Sequence, residues 1–177
     1  RARSFGGWAG YSGENLTMTI QVGDRVPSAA FRVKTDEGIK EISTDELFKG
    51  KKVVLFSVPG AFTPTCSAKH LPGFVQKAAE FKAKGVDTIA CMAVNDAFVM
   101  DAWGRDQQVG DKVKLLADGN AAFAKALGLE LDATGVGLGT RSQRFAMVVD
   151  DGVVKSLHVE QPGAFEVSSA EAVLAKL

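Results

Sequence analysis

From Met18 onward, short apolar runs alternate with stretches whose apolar positions recur at helical spacing, with no internal repeat and no linker. "KKVVLFSVP" is apolar without a break from Val53 to Val58, the pattern of a strand covered on both faces of a sheet. The pattern next predicts a helix from Thr63 to about Lys84, interrupted near "LPG" because Pro72 has no amide hydrogen to donate. A second apolar strand spans Thr88 to Val94, and a helix runs from Ala97 to Gln107. After the short apolar piece Val113 to Leu116, "NAAFAKALG" reads as a helix closed by Gly128. "RFAMVVDDGVVKSLHVE" then gives two strands around Asp-Gly, a strong hairpin signal that adds an antiparallel part to the sheet. A last helix begins near Ser168, where Ser168 and Glu171 stand at capping-box spacing. The order predicts an α/β chain: a central mixed sheet flanked by helices, with a C-terminal β-hairpin and helix, in one domain over residues 18–177. The strands' carboxyl ends, where Val58 hands over to Thr63, are where a site is expected.

Composition excludes several functions. The 177 residues are 46% hydrophobic and 24% charged, which is ordinary for a globular domain with a sizeable core. Lys plus Arg and Asp plus Glu both total 21, and no long run of one sign offers a track for nucleic acid or an anionic membrane. No apolar run approaches the roughly 18 residues of a bilayer span. With only Cys66 and Cys91 there is no disulfide scaffold and no zinc ribbon. Cys66-x-x-x-His70 alone is a weak ligand signal, so neither a metal nor another cofactor is expected. So few cysteines fit a reducing compartment, and the cytoplasm is the expected location. "RARSFGGWAGYSGENLT", residues 1–17, has two arginines and no apolar centre. It reads as a leader or vector-derived extension before Met18, with the remnant of a mitochondrial or other organelle address as the alternative.

The chemistry concentrates in "VPGAFTPTCSAKHLPGF", Val58 to Phe74. With Thr63 as N-cap, Pro64 falls at the first helical position, where its missing amide costs nothing, and Cys66 falls at the third. Partnerless amides and the partial positive charge of a helix start favour a thiolate there. Cys66 could equally be a small buried hydrophobe behind a cap. Pro59, Gly60 and Phe62 read as a compact wall around the sulfur. A dithiol oxidoreductase would place Cys-x-x-Cys at this turn, but Thr63 occupies the first of those positions, so internal dithiol exchange is disfavoured. A single cysteine beside a hydroxyl suits attack on a small electrophile. His70, one turn after Cys66, could form a dyad with it, although a solvated or structural histidine is the preferred reading.

This stretch resembles the active-site signature of the peroxiredoxins, in particular the type II branch that holds both plant type II proteins and the animal atypical two-cysteine members. "AVNDAFVMDAWGRD", "KLLAD" and "RFAMVVDDG" follow in that branch's order, so the resemblance covers essentially Met18 to Leu177. It implies a thioredoxin-like fold and a thiol peroxidase acting on hydrogen peroxide and small organic hydroperoxides. By position, Cys66 resembles the peroxidatic cysteine, Thr63 the family's threonine, Pro59 its shielding proline and Arg144 its arginine; Gly60, Thr63, Cys66 and Arg144 would meet the substrate. Arg141, in "GTRSQRF", is a candidate second cation.

Such a reaction leaves Cys66 as sulfenic acid, which must be reduced through a disulfide. Cys91 is the one internal candidate for the resolving thiol, but "TIACMAV" reads as buried strand and favours a structural cysteine. The animal members carry a resolving cysteine near the C-terminus; here that region reads "GAFEVSSAEAV", with serine around Ser168. The expected reductant is therefore an external thiol, glutathione with glutaredoxin or else thioredoxin. Phe62, "NDAFV" and Trp103 are apolar elements that could meet a second copy in a homodimer, as is common in this branch. The alternative function is a redox-sensing or chaperone-like binding protein switched by oxidation of Cys66.

Overall fold

The computed structural model describes residues 19–177. Residues 1–17, read above as a leader, an extension or an organelle address, lie outside the described residues.

Among these, a seven-stranded sheet is built from β1 (Ala30–Thr35), β2 (Gly38–Ser43), β3 (Lys52–Ser57), β4 (Thr88–Ala93), β5 (Lys114–Ala117), β8 (Phe145–Asp150) and β9 (Val153–Val159). Its order is β9-β8-β3-β4-β5-β1-β2. β3, β4 and β5 are parallel neighbours, as their continuous apolar sequences predict, while β8 lies antiparallel to β3. A separate two-stranded ribbon pairs β6 (Glu130–Ala133) with β7 (Gly139–Ser142). The Asp151-Gly152 turn joins β8 to β9 with φ of 48° and 82°, the double left-handed geometry of a tight hairpin. The mixed sheet with its C-terminal hairpin and helix is the expected architecture.

The period of two along the strands divides the core between the sheet's two faces. Val54, Phe56, Cys91, Ala146 and Val148 face one cluster together with Cys66, Phe74 and Trp103. Val53, Leu55, Met92, Met147 and Val149 face the other, with Phe31 and Phe123. Cys91 thus looks toward the same side of the sheet as the helix that carries Cys66.

The single helix expected from Thr63 to Lys84 is segmented. Pro64 and Thr65 are helical, Cys66–His70 forms a π-helical turn, and α2 (Leu71–Gln76) and α3 (Ala78–Ala83) follow, broken at Lys77 with φ −101°. The π turn ends on a bond from the Leu71 amide to the Cys66 carbonyl, immediately before Pro72. Widening the helix by one residue there accommodates a proline that can neither donate nor sit beneath an undisturbed carbonyl. The later helices are α4 (Ala97–Asp106), α5 (Ala122–Leu127, closed by Gly128 at φ 72°) and α6 (Ala170–Leu174). The cap of α6 differs from the expected one: Ser169, not Ser168, accepts from the amide of Ala172. Ser168 is buried and turned elsewhere.

The β1–β2 hairpin and the short helix α1 (Thr44–Phe48) lay outside the sequence reading. α1 carries a complete capping box, in which Ser43 accepts from the Glu46 amide and Glu46 from the Ser43 amide.

Candidate active site

The site forms where β3 ends and the chain turns through Pro59 to Thr65. The Asn95 side chain, from the loop after β4, accepts from the Ala61 amide at 2.9 Å. Thr63 bonds back to the Gly60 carbonyl through its hydroxyl at 2.7 Å and its amide at 3.4 Å. The first helical bond, Ser67 amide to Thr63 carbonyl, follows at 3.0 Å. Thr63 therefore stands at the cap position and Cys66 in the first turn, as expected. A Cβ at Gly60 would lie 2.9 Å from Nη1 of Arg141 and 3.2 Å from Cγ2 of Thr63, so a side chain there would displace the Arg141 guanidinium.

Cys66 is fully buried. Its sulfur accepts from Nη2 of Arg144 at 3.2 Å, which brings together residues on the first helical turn and at the entry to β8. Nη1 of the same guanidinium donates to Nδ1 of His70 at 2.8 Å, and Nε2 of His70 lies 2.9 Å from the Ser168 carbonyl. No hydrogen bond joins His70 to the sulfur among the described residues; the two meet through Arg144. The histidine ring is fully buried, packed on Phe56 and Phe165 with centroids at 4.8 and 5.0 Å. Burial, and then the adjacent Arg144 charge, lower its pKa from 6.5 to about 3, so it is neutral. His70 is thus a buried, hydrogen-bonded residue and not a solvated one, and its ring nitrogens are bonded to Arg144 and Ser168 in place of the sulfur.

The structure assembles most of the expected set and revises several details. Pro59 and Arg144 line one cleft, Arg144 bonds the Cys66 sulfur, and Thr63 bonds Gly60 in the turn that leads to it. The Thr63 proton is committed to the Gly60 carbonyl rather than offered to sulfur or substrate. Arg141 makes no hydrogen bond to the sulfur among the described residues; it holds the loop from outside, with Nε 2.9 Å from the Leu138 carbonyl and Nη1 3.4 Å from the Pro59 carbonyl. Phe62 does not wall the sulfur in: it sits at φ 64° with 53% of its surface exposed. Trp103, considered for a subunit contact, is fully buried and donates to the Ser67 hydroxyl at 3.0 Å. Cys91 is fully buried on β4, opposite Phe56, and burial, followed by the nearby Cys66, pushes its thiol well above the usual range. A cleft of about 310 Å³ opens beside the site, lined among others by Pro59, Gln143, Arg144, Glu160 and Pro162.

Glu160 and Ser168 were not recognised as site residues from sequence. Glu160 accepts from the amides of Glu166 (2.7 Å) and Ser168 (2.8 Å) and from the Ser168 hydroxyl (2.7 Å). Its burial opposes ionisation, but these bonds outweigh it and keep the carboxyl below its usual range. Their bonds to one another close a loop of only eight residues; what ties that loop to the site, the Ser168 carbonyl against His70 98 positions away, is brought in by the fold.

Residues 21–174 match the Redoxin family. Peroxiredoxin-2E, chloroplastic, of Arabidopsis thaliana is 52% identical over 166 residues, covering 92% of this chain and 71% of the relative. Peroxiredoxin-2B of the same plant is 51% identical over 160 residues, covering 89% and 98%. The crystal structure of reduced Prx3 in complex with hydrogen peroxide from Vibrio vulnificus is 56% identical and superposes with a TM-score of 0.86 over 89% of this chain and 99% of that one. With the mixed sheet and the Cys66 turn described above, these likenesses make the fold thioredoxin-like, and the chain belongs to the redoxin family as a type II peroxiredoxin, a thiol-dependent peroxidase.

Proposed function

We propose that Cys66 is the peroxidatic residue of this peroxidase, with Thr63, Arg144 and Pro59 serving it, and that an external thiol regenerates it. The observation that carries this reading is the Arg144 donor 3.2 Å from a sulfur held in the first turn of a helix. A fixed cation and the helix start both favour negative charge on sulfur.

The thiolate attacks the nearer, proton-bearing peroxide oxygen. The O–O bond breaks, its electron pair leaves on the far oxygen, and that oxygen takes up a proton to become water or alcohol. Sulfur keeps the hydroxyl as sulfenic acid. Arg144 has guanidinium donors beyond those on Sγ and Nδ1 with which to meet the polarised peroxide. Because Thr63 gives its proton to Gly60, its oxygen offers lone pairs and accepts from the peroxide O–H, orienting the nearer oxygen at sulfur. Pro59 limits access and so slows over-oxidation.

A substrate thiol then displaces the hydroxyl as water, forming a mixed disulfide, and a second thiol releases Cys66 and leaves as disulfide. Cys91, buried and held as a thiol, is a poor attacking group and serves the core. Ser168, near where animal members carry a resolving thiol, is tied to Glu160. Both observations support an external reductant, glutathione with glutaredoxin or thioredoxin. Phe98, 62% exposed, and Phe62 support a homodimer contact. The chloroplast location in the Arabidopsis relative's name supports the organelle-address reading of residues 1–17 over a cytoplasmic one.

Peroxide consumption measured with glutathione plus glutaredoxin, and separately with thioredoxin, tests this reading. Wild type is expected to turn over with at least one system and Cys66→Ser with neither; equal rates for the two proteins would end the assignment of Cys66.

A further inference from the structure

The hydrogen bonds around Arg144 form a closed circuit. Arginine has no acceptor and stays protonated, so Nδ1 of His70, 2.8 Å away, must be the bare acceptor. The ring hydrogen is then on Nε2 and donates to the Ser168 carbonyl at 2.9 Å. Ser168 donates through its amide and hydroxyl to Oε2 of Glu160. The Glu160 amide donates to the carbonyl of Arg144 itself at 3.0 Å, which returns the circuit to its origin. Phe165 closes the outer side, 5.0 Å from the His70 ring and 5.9 Å from the guanidinium carbon.

Each link constrains the next. A guanidinium held only by the sulfur could roll about its long stem. With Nη1 bound to a ring that is fully buried and has one allowed tautomer, Nη2 faces Sγ. His70 itself needs a fixed Ser168 carbonyl, and the Glu160 carboxylate fixes the segment that carries it. Because His70 remains neutral to about pH 3, its acceptor lone pair is present throughout the working range.

We propose that His70 and Glu160 are positioning residues for peroxide reduction: His70 aims the Arg144 guanidinium at the Cys66 sulfur, and Glu160, through Ser168, holds His70 in the required tautomer and place. This rests on Cys66 being the attacking sulfur. It differs from a Cys-His dyad, since both ring nitrogens of His70 are bonded elsewhere and it takes no proton from the sulfur.

Two reactions at Cys66 separate positioning from stability. Alkylation by iodoacetamide requires a thiolate, whereas peroxide reduction also requires aligned donors, so the ratio of the two rate constants reads alignment. His70→Leu is expected to lower that ratio about tenfold or more, the scale of a misplaced catalytic group. His70→Gln is expected to restore most of it, because its carboxamide can accept from Arg144 and donate to the Ser168 carbonyl. Glu160→Gln is expected to lower the ratio about threefold, as one charge-assisted acceptor is weakened. A wild-type ratio in His70→Leu, or a Gln variant no better than the Leu variant, would overturn the proposal. Should His70→Leu not fold, an unchanged ratio in Glu160→Gln would overturn it equally. Peroxide reduction persisting at the wild-type rate in Cys66→Ser would instead remove the site reading on which the proposal stands.

Discussion

The guanidinium of Arg144 lies 3.2 Å from the sulfur of Cys66 across 78 positions of sequence, and the geometry of that one bond depends on both ends being held. At the sulfur end, the Gly60–Thr63 turn fixes where the helix begins. At the cation end, His70 takes the other arm of the fork. Catalysis by preorganised donors requires this kind of fixation, because a donor that must first be oriented contributes much less in the transition state.

Arg144→Lys keeps the charge and removes the fork. Lysine cannot satisfy Nδ1 of His70 and the sulfur together in the same plane. Peroxide reduction by Arg144→Lys is expected to be about a hundredfold slower, near 3 kcal/mol of lost transition-state stabilisation. Stopped-flow oxidation of Cys66 measures it; a loss below about threefold would contradict the role given to the fork.

The Thr63 hydroxyl donates to the Gly60 carbonyl, and in the proposed mechanism its oxygen accepts from the peroxide O–H. Thr63→Ser should retain most activity. Thr63→Val should lose about tenfold to a hundredfold in kcat/KM and about 1 kcal/mol of stability, the net worth of the lost hydroxyl hydrogen bond. Steady-state kinetics and urea denaturation of the two variants, compared side by side, separate the effects.

Stability should fall on mild acidification. The unfolded chain protonates His70 near 6.5, whereas the folded protein resists protonation to about 3, with burial as the main cause and Arg144 second. Between those values the unfolded state binds more protons, so stability is lost as pH falls, by up to about 1.4 kcal/mol per pH unit. Half-buried His158, lowered by burial and then Lys176, adds a smaller effect of the same sign. Glu160, held low by its hydrogen bonds, adds its own loss only in more acid solution, below the unfolded carboxyl range. From pH 6.5 to 5, urea denaturation should show a loss of roughly 2 kcal/mol, most of it absent in His70→Gln.

Replacing Cys91 should leave the chemistry in place. Cys91→Ala is expected to keep peroxidase activity with an external thiol within about threefold of wild type, while the small cavity it leaves costs about 1 kcal/mol. Loss of turnover at unchanged stability would identify Cys91 as the resolving thiol.

Much of this organisation is legible in the amino-acid sequence. Unbroken apolar runs gave the central strands, Gly128 ended its helix, and Asp-Gly made its hairpin, because each of these features is fixed by residues within a few positions. The Cys66 turn was legible for the same reason, since Thr63 and Pro64 mark where the helix starts, whereas its braces, Asn95 and Arg141, were not. Nor were the other three-dimensional partners. His70 and Arg144 are 74 positions apart, so local spacing offers Cys66 as the one partner to weigh for His70 and gives no sign of the arginine. Ser168 and Ser169 both stand at the start of α6, and which one caps it depends on Glu160 drawing Ser168 away. The side-chain direction of Phe62 follows from a left-handed φ that the sequence "AFTP" does not announce. Trp103 looked suited to a surface, yet Ser67 receives its indole hydrogen inside the core.

Intact mass after one equivalent of hydrogen peroxide tests the central claim most directly. The account expects the mass of one oxygen to be added, located on Cys66 by a sulfenic acid trap, and a glutathione adduct on the same residue when glutathione is present. An unmodified Cys66 in protein that has consumed the peroxide would contradict it.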